Sequence, residues 1–465
     1  MHKKKYDDIA QLQIQTLSEN SAYPIIQLKV RLSLFLIGSI IFILGFLYPF
    51  SIGLFICYTG LAIYFCMNFF RFIIIPYSVK NNKSFNSEQV NVPLPTFTIL
   101  IPLKEEGDII HQTFSSIINI NYPKNLIQAI VIIEEDDMIT KSSINKISLP
   151  DYFHILKIPS MPPFTKGRPL MHGLQKATGE YITIFDAESL PEPDQLLKVA
   201  HKLSKAKTPT CFQAKIKIAN AHRNVLTKFF AAEYYEWFEK HIARLSEKNL
   251  PFGLAGNSFY IQTKLLKDLG AWDPFNVTED ADLTVRLVRE GVQLKLLDSY
   301  TYENCPDTLK AWTRQRTRWD KGLFITQLVH LRHRRFGFKD FSFKGWIYFW
   351  LRQCCGSLLP YVTAFIVAVN ANIVFSYLFF QGTPGYNYHI LNALMLLNVI
   401  FSISVSLYAD YYIFKAINIK MGFKDLFLGT IYYWLINLMA GSIAYKEYIF
   451  SPIKWNKTNH DVLKI

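Results

Sequence analysis

The chain has 465 residues, of which 50% are hydrophobic, and it carries a formal net charge of +14 at pH 7. Much of the basic excess lies beside apolar runs, at residues 3–5, 332–335 and 415–424, which the positive-inside rule explains better than nucleic-acid binding does. The six cysteines include no CxxC pair, so neither a disulfide framework nor a zinc site is indicated.

The N-terminal apolar run predicts two transmembrane helices. From Leu32 to Phe70 the sequence contains no Lys, Arg, Asp or Glu. One span needs roughly 20 residues, so we expect two helices over residues 31–75 that meet at the turn Tyr48–Ser51. The run starts too far from the N-terminus, and lacks the small-residue cleavage site, to be a signal peptide. Residues 1–30 are therefore predicted to be a cytoplasmic tail on a chain that stays anchored.

Between residues 93 and 330 short apolar runs alternate with amphipathic stretches, which predicts one domain with a mostly parallel sheet covered by helices. The expected strands are Phe97–Pro102, Ala129–Ile133 and Tyr181–Phe185. Carboxylates follow each of them, and ligands of open α/β sheets bind just beyond the carboxyl ends of the strands. Solvated acidic loops would give the same pattern. The candidates for holding a nucleotide base are Glu106 after the first strand and the acidic run Glu134-Glu135-Asp136-Asp137 after the second.

The third strand ends in Asp186-Ala187-Glu188. Residues i and i+2 of an extended backbone point to the same side, so both carboxylates can converge on one divalent cation. Hard oxygen ligands favour Mg²⁺ or Mn²⁺, which can bridge a nucleotide diphosphate. An ordinary acidic turn is the alternative. Lys166 and Arg168 are further candidates for contact with the diphosphate. The sequence has no Walker loop, which argues against a P-loop nucleoside triphosphatase.

A helix is predicted to start at Thr278-Glu279-Asp280 and to end before Gly291. Acidic residues in a first turn offset the helix dipole, which is worth roughly 0.3–1 kcal/mol each. The alternative role is chemical, because Asp280 could take the proton of an acceptor hydroxyl as a general base.

Gln315, Arg318 and Trp319 have the spacing i, i+3 and i+4, so they share one face of a helix. A guanidinium binds diphosphate bidentately, and an indole stacks on the apolar face of a sugar. A basic amphipathic helix at a membrane surface is the competing interpretation.

The C-terminal region, residues 331–465, is predicted to hold an interfacial segment and about three further spans. Uncharged runs extend over Gln353–Ala409, with a break at Gly382–Tyr386, and over Leu426–Tyr445. The positive-inside rule then places the central domain in the cytoplasm. An odd number of C-terminal spans would leave the basic tail outside, which a short or re-entrant segment at Trp346–Leu359 would resolve.

Taken together, these motifs and their order resemble the membrane-bound family 2 glycosyltransferases, the group of the cellulose, hyaluronan and mannan synthases. The resemblance covers Phe97 to Trp319 closely, and Trp455–His460 is similar to the end of bacterial members. It implies an α/β fold of the GT-A (Rossmann-like) type, as a cytoplasmic domain inserted between transmembrane helices. It also implies the following roles: Asp280 as catalytic base; Asp186 and Glu188 as metal ligands; Glu106, Asp136, Asp137, Lys166, Asp186 and Arg318 for the nucleotide diphosphate; Glu279, Gln315 and Trp319 for the acceptor.

The expected function is inverting, metal-dependent transfer of a sugar from a UDP- or GDP-sugar to a growing β-linked polysaccharide, at the inner face of a bacterial cytoplasmic membrane. The expected partners are the nucleotide sugar, a glycan or lipid acceptor and membrane lipids, with no nucleic acid. Two alternatives stay open: a single-transfer glycolipid synthase, and a membrane scaffold with a decayed catalytic domain.

Overall fold

The computed structural model describes residues 6–47, 54–76, 92–107, 109–332 and 386–453. Within them the central domain is built on one mixed sheet of eight strands in the order β3-β2-β1-β4-β7-β6-β8-β5. Strands β1 to β4 are mutually parallel, β7 runs antiparallel to both its neighbours, and β6 is parallel to β8. The strands are β1 Phe97–Pro102, β2 Ile127–Glu134, β3 Phe153–Ile158, β4 Tyr181–Ile184, β5 Leu190–Pro191, β6 Thr210–Ile218, β7 Phe259–Gln262 and β8 Gln293–Glu303.

Helices cover both faces of this sheet. Those of the domain are α4 Ile110–Ile118, α5 Met138–Ile144, α6 Gly167–Lys176, α7 Gln195–Leu203, α8 Val225–Tyr235, α9 Ala243–Glu247, α10 Thr263–Asp268, α11 Glu279–Arg289 and α12 Leu309–Leu331. A π-helical segment, Glu236–Ile242, joins α8 to α9. Three described helices precede the domain and two follow it. Those before it are α1 Asp8–Leu17, α2 Leu28–Leu47 and α3 Leu54–Ile74, and those after it are α13 Tyr386–Ala416 and α14 Phe423–Phe450.

Strand β2 is apolar along most of its length because both of its faces are buried. Ile130 and Ile132 pack with Leu170 and Leu174 of α6 on one face, while the alternate residues of β2 pack with Phe114 of α4 on the other. A strand buried on both faces has no polar side, so its period of two disappears from the sequence. The expected strands at Phe97, Ala129 and Tyr181 are all present, and each agrees with the prediction to within two residues at either end.

Two glycines allow the close approaches that position the site. A Cβ at Gly173 of α6 would lie 2.5 Å from Ile132 Cδ1 and 2.9 Å from Leu100 Cδ2, so only glycine lets α6 lie this near the sheet. A Cβ at Gly322 of α12 would collide with the side chain of Thr278. The first contact places the start of α6, and the second places α12 beside the start of α11.

The segment assigned to an N-terminal tail is folded against the domain. Asp7 caps α1, and its carboxylate contacts Arg168 Nη1 at 3.3 Å and His172 Nε2 at 3.0 Å. The backbone N–H of Ala22 donates to Asp273 Oδ2 at 2.5 Å. These contacts join the start of the chain to α6 and to the loop before α11.

Two described helical stretches, Ala393–Ala416 and Phe423–Phe450, are long and apolar enough to cross a membrane, judged by length and composition alone. Helix α13 pairs with α3 through Asn68 Nδ2, which donates to Ser402 Oγ at 3.0 Å. Helix α14 packs along α12, where Lys321 Nζ donates to Glu447 Oε2 at 2.8 Å. The predicted turn Tyr48–Ser51, the segment Trp346–Leu359, the part of the run Gln353–Ala409 before Tyr386 and the motif Trp455–His460 lie outside the described residues.

Candidate active site

A pocket lies where four parallel strands end. Its wall includes the last residues of β1, β2 and β3, which are Pro102, Glu134 and Ile158, and Asp186 just after β4. This is the edge at which open α/β sheets bind ligands. The wall is completed by α6 and α12, and its other charged or polar members are Lys104, Glu106, Lys166, Glu188, Gln315 and Arg318.

Lys166 occupies the centre of the site. Its Nζ donates to Asp186 Oδ2 at 2.6 Å and to the carbonyl of Gly256 at 2.8 Å. A Cβ on Gly256 would lie 3.4 Å both from Lys166 Nζ and from Asp280 Oδ2, so the ammonium and the Asp280 carboxylate face the same small space. Burial lowers the pKa of Lys166, but the charges of Asp186 and Glu279 outweigh it and hold that pKa above its ordinary value. Lys166 is therefore a permanent cation between two groups of carboxylates.

The carboxylates after β4 are crowded. Burial and the charge of Asp186 raise the pKa of Glu188 to about 8, and burial and the charge of Glu188 raise the pKa of Glu303 to about 8. Glu106 adds a further negative charge near Glu188. Carboxylates forced together in this way bind protons more tightly than usual, and a bound cation would relieve the same repulsion.

The carboxylates of the pocket suit a hard divalent cation that takes its other ligands from substrate phosphates and water. In the described part of the chain no three His, Cys, Asp or Glu side chains form a ready-made metal cage. Mg²⁺ is commonly held by one or two carboxylates, with substrate phosphates and water as the other ligands. Asp186 and Glu188 suit that arrangement, since both line the pocket.

A second acidic pair lies at the start of α11. Burial and the charge of Asp280 raise the pKa of Glu279 to about 8. Burial also raises the pKa of Asp280, although the N–H of Ala281 donates to Asp280 Oδ1 at 2.8 Å and Lys166 lies near. Asp280 is half-buried whereas Glu279 is almost fully buried, so Asp280 is the more accessible of the two.

A buried network fixes α11 against α12. Asp282 Oδ2 accepts from Arg286 Nε at 2.9 Å, and Asp282 Oδ1 lies 2.9 Å from His330 Nε2 on α12. Both partners of Asp282 are themselves buried. The acidic residues at the start of α11 are thus held in a fixed position relative to the motif on α12.

The predicted helix for the Gln-x-x-Arg-Trp motif is confirmed as α12, but its three side chains separate. Gln315 and Arg318 line the pocket, and Gln315 Oε1 is buried with no hydrogen-bond partner among the described residues. Trp319 lies instead in an aromatic cluster, with ring centroids 6.1 Å from Phe230 and 6.4 Å from Tyr234. The structure therefore brings the amide and the guanidinium to the pocket and the indole to its flank.

Three sequence-predicted residues are placed away from the pocket. Asp137 caps α5, where its carboxylate accepts from the N–H of Glu105 and from both the N–H and the hydroxyl of Thr140. Asp136 is exposed and is not part of the wall. Arg168 is fully buried and pairs with Glu134 and Asp7. Asp137 and Arg168 are therefore engaged in contacts within the domain, and of the acidic run Glu134–Asp137 it is Glu134 that lines the pocket.

Two further polar residues of the site escaped the sequence analysis. Asn257 Nδ2 donates to Glu303 Oε1 at 2.5 Å and to Asp186 Oδ2 at 3.2 Å. Ser189 Oγ also donates to Glu303, at 2.9 Å. Asn257 and Glu303 therefore orient Asp186 from behind. Only the polar character of Asn257 and Glu303 beside apolar strands could have pointed to them.

Comparison with known proteins assigns the family. Residues 181–409, from β4 into α13, match the model of glycosyl transferase family group 2. The chain carries a family 2 glycosyltransferase domain. The enzyme class predicted from the motifs is thereby confirmed.

Curated relatives match part of the chain. The protein named "Probable glycosyltransferase YdaM" of Bacillus subtilis is 28% identical over 270 residues, which are 54% of this chain and 62% of the relative. The beta-monoglucosyldiacylglycerol synthase of Nostoc sp. is 26% identical over 240 residues, half of each chain. Glucomannan 4-beta-mannosyltransferase 9 of Arabidopsis thaliana is 24% identical over 292 residues, 58% of this chain and 54% of the relative. The matches thus span roughly half to three-fifths of these proteins.

A solved structure shares the fold. The mannosyltransferase PcManGT from Pyrobaculum calidifontis, solved in complex with GDP-Man and Mn²⁺, superposes with a TM-score of 0.55 at 15% identity. The superposition covers 77% of this chain and 95% of PcManGT. At this identity the likeness shows the fold alone, and it confirms the predicted α/β fold of the GT-A type.

The acidic pair on α11 makes a stability prediction. A free glutamate has a pKa near 4.3, whereas the pKa of Glu279 is raised to about 8. The protonated Glu279 carboxyl therefore adds to the free energy of unfolding at low pH, and this stabilisation is lost as the pH rises through about 8. Glu279→Gln should therefore raise the melting temperature at pH 8.5 by about 2–4 °C and leave it nearly unchanged at pH 5. Thermal melts at both pH values check this. A mutant that is less stable than the wild type at pH 8.5 would contradict it, and Glu290→Gln, an exposed change at the other end of α11, serves as control.

Proposed function

We propose that the protein is an inverting, metal-dependent glycosyltransferase that moves a sugar from a UDP- or GDP-sugar to a growing β-linked glycan at the cytoplasmic face of a membrane. One observation carries the proposal. A single pocket at the carboxyl edge of the sheet contains the Asp186–Glu188 pair together with Gln315 and Arg318 of α12. Lys166, which donates to Asp186, faces the same small space as Asp280. Donor-holding groups and a base therefore adjoin one another.

In the proposed reaction the acceptor hydroxyl attacks the anomeric carbon of the donor directly. Asp280 takes the hydroxyl proton, and its raised pKa makes it a stronger base than an ordinary aspartate. Lys166 and Arg318 stabilise the charge that develops on the departing diphosphate. One displacement inverts the anomeric configuration, so no covalent sugar–enzyme nucleophile is needed.

Asp186 and Glu188 would hold Mg²⁺ or Mn²⁺, which when bound neutralises the diphosphate of the donor. Asn257 supports this assignment because it donates to Asp186 Oδ2 and is itself held by Glu303. The Mn²⁺ and GDP-Man named for PcManGT agree with a metal and a nucleotide sugar for this fold. Glu134 and Glu106, on the wall beside β1 and β2, are the groups placed to meet the base or ribose of the nucleotide.

The membrane part of the proposal rests on the packing of α14 and α13. Helix α14 lies along α12, which carries the motif, through Arg316, Thr317 and Lys321. The acceptor side of the site is thereby attached to an apolar helix long enough to span a bilayer. We place the protein in a bacterial cytoplasmic membrane with its catalytic domain in the cytoplasm, in keeping with the basic residues that flank the apolar runs.

A single-transfer glycolipid synthase is the second candidate. The Nostoc relative is named as a synthase of a glucosylated diacylglycerol. That name and the contact of α12 with an apolar helix both favour an acceptor that arrives within the membrane.

Purified protein in detergent, incubated with radiolabelled UDP- and GDP-sugars and either diacylglycerol or an oligosaccharide primer, distinguishes the two candidate functions by product size. Labelled product of polymeric length supports the polysaccharide reading, and one sugar on the lipid supports the other. No transfer from any donor contradicts both.

Trp319 provides a further test of the polymerase reading. Trp319→Ala leaves Asp280 and the carboxylates of the metal site in place but removes a ring that flanks the pocket. Stacking on an aromatic ring is worth about 0.5–1.5 kcal/mol beyond the area it buries, so acceptor residence should fall up to about tenfold. Product sizing should show shorter chains at normal donor affinity, and Trp319→Phe should restore much of the length. Full-length polymer made by the Ala variant at the wild-type rate would leave Trp319 as a packing residue of the Phe230 cluster.

A further inference from the structure

A second cavity, of about 780 Å³, is separate from the active-site pocket. It runs between the starts of β6 and β8, the end of α7 and the helical segment from Tyr235 to Glu247. None of its lining residues belongs to the wall that contains Asp186. Its floor is basic, and we call it the lysine groove after its six lysines: Lys202, Lys205, Lys207, Lys215, Lys240 and Lys295.

The acidic residues of the groove are fewer than its lysines. Lys215 Nζ lies 3.0 Å from Glu239 Oε2 and 2.9 Å from Asp298 Oδ1. Glu247, the third carboxylate of the lining, lies 3.0 Å from Arg244 Nη1. With six lysines and three carboxylates in its lining, the groove has an excess of positive charge that an anion would neutralise.

Three of the other lysines lie at the surface: Lys202, Lys205 and Lys207 are exposed. Lys295 Nζ donates to the carbonyl of Ser246 at 3.2 Å and to Asn249 Oδ1, and burial together with the charge of Lys202 lowers the pKa of Lys295. Such repulsion between ammonium groups is reversed by a multivalent anion. Lysine is a compact point charge that suits phosphate oxygens, and the volume is sufficient for a phosphate with its attached glycerol or sugar.

The position of the groove indicates where the phosphate comes from. Its helical wall has a second face that contacts the end of α3: Arg71 donates to both oxygens of Glu236 at 2.8 and 2.7 Å, and the His241 ring lies 6.2 Å from the Phe70 ring. Glu239 and Lys240, on the groove side, are only one helical turn, about 5 Å, along the axis from Glu236. The headgroup layer of a bilayer is about 5–8 Å deep on each side. If α3 spans the membrane, as the sequence predicts for residues 31–75, the wall of the groove lies at headgroup depth.

We propose that the lysine groove is a phosphate-binding site for the headgroup of an anionic membrane lipid. Each lysine near such a headgroup adds to the electrostatic attraction, and this attraction falls off within a Debye length. The site would hold the domain in a fixed orientation beneath the bilayer, independent of the chemistry in the active-site pocket. The step that places the groove at the membrane rests on the proposed membrane location.

The test titrates the purified full chain in neutral detergent with short-chain phosphatidylglycerol, with short-chain phosphatidylcholine and with soluble glycerol 1-phosphate, each followed by calorimetry. The wild type should prefer phosphatidylglycerol to phosphatidylcholine. Lys202→Gln, Lys205→Gln and Lys207→Gln combined should weaken phosphatidylglycerol binding on the order of tenfold or more, and the corresponding Arg triple should retain it. A control triple, Lys146→Gln, Lys264→Gln and Lys267→Gln, removes the same charge from exposed sites elsewhere and should change nothing.

Unchanged phosphatidylglycerol binding in the groove triple, or an equal loss in the control triple, would overturn the proposal. Glycerol 1-phosphate binding as tight as that of the lipid would overturn the membrane source, since a soluble phosphate would then suffice. Hydrolysis of the nucleotide-sugar donor, measured on the same preparations, reports on the proposed function separately. Because none of the substituted lysines touches the active-site pocket, the groove triple should retain wild-type hydrolysis in detergent.

Discussion

Replacing Asp280 with Asn should abolish sugar transfer while nucleotide binding stays nearly intact. The substitution keeps the shape of the side chain and removes only its basicity. A positioned general base contributes about 10²–10⁴-fold in rate and little to ground-state affinity. The structure sharpens this expectation, because Asp280 lies beside Lys166 yet outside the direct hydrogen bonds from Lys166 to Asp186 and Gly256. The diphosphate side of the pocket should therefore survive the change.

Initial transfer rates with a labelled donor, paired with calorimetric nucleotide affinity, check this prediction. Asp268→Asn, an exposed change on α10, serves as the matched control and should behave as the wild type. A melting temperature close to that of the wild type excludes a folding defect as the cause of lost activity. Retention of more than about a tenth of the wild-type rate by Asp280→Asn would show that another residue is the base, and Glu279 would be the next candidate.

The sequence predicts the strands and the order of the motifs well because these depend on local physics. Phe97–Pro102 is a run of buried apolar residues, and the start of α11 is marked by acidic residues and by a glycine just past its end, which here takes a left-handed φ of 72° at Gly291. These signals lie within a few residues of one another. They need no knowledge of the tertiary fold.

The orientation of individual side chains is a different matter. Four consecutive acidic residues, Glu134 to Asp137, begin at the last residue of β2, and the sequence alone does not decide which of them faces the ligand. The helix that begins at Met138 uses Asp137 as its cap, whereas Glu134 lies on the wall of the pocket. Trp319 shares a helical face with Gln315 by its spacing, but it packs against Phe230. The sequence gives only a weak signal for Asn257 and Glu303, because the fold brings them to Asp186 from distant parts of the chain.

Removal of either carboxylate after β4 should weaken nucleotide binding in a manner that depends on the metal. Asp186→Ala and Glu188→Ala each delete one of the two side chains proposed to hold the cation that bridges the protein to the diphosphate. We expect UDP or GDP to bind the wild type more tightly with Mn²⁺ than with a chelator, and we expect each variant to lose most of that difference, on the order of 10²-fold in affinity.

The two variants should differ in the absence of metal, and this difference makes the test specific. Asp186 is the hydrogen-bonding partner of Lys166, so its removal frees that ammonium to attract the diphosphate directly, and the metal-free affinity of Asp186→Ala should equal or exceed that of the wild type. Glu188 has its pKa raised to about 8 and is therefore largely protonated at pH 7, so Glu188→Ala should leave the metal-free affinity unchanged at that pH. Calorimetric titration of the nucleotide with Mn²⁺ and with chelator, at pH 7 for the wild type and both variants, gives all the comparisons. Equal wild-type affinity with and without Mn²⁺ would remove the metal assignment, and Lys166 with Arg318 would then be the sole groups that neutralise the diphosphate.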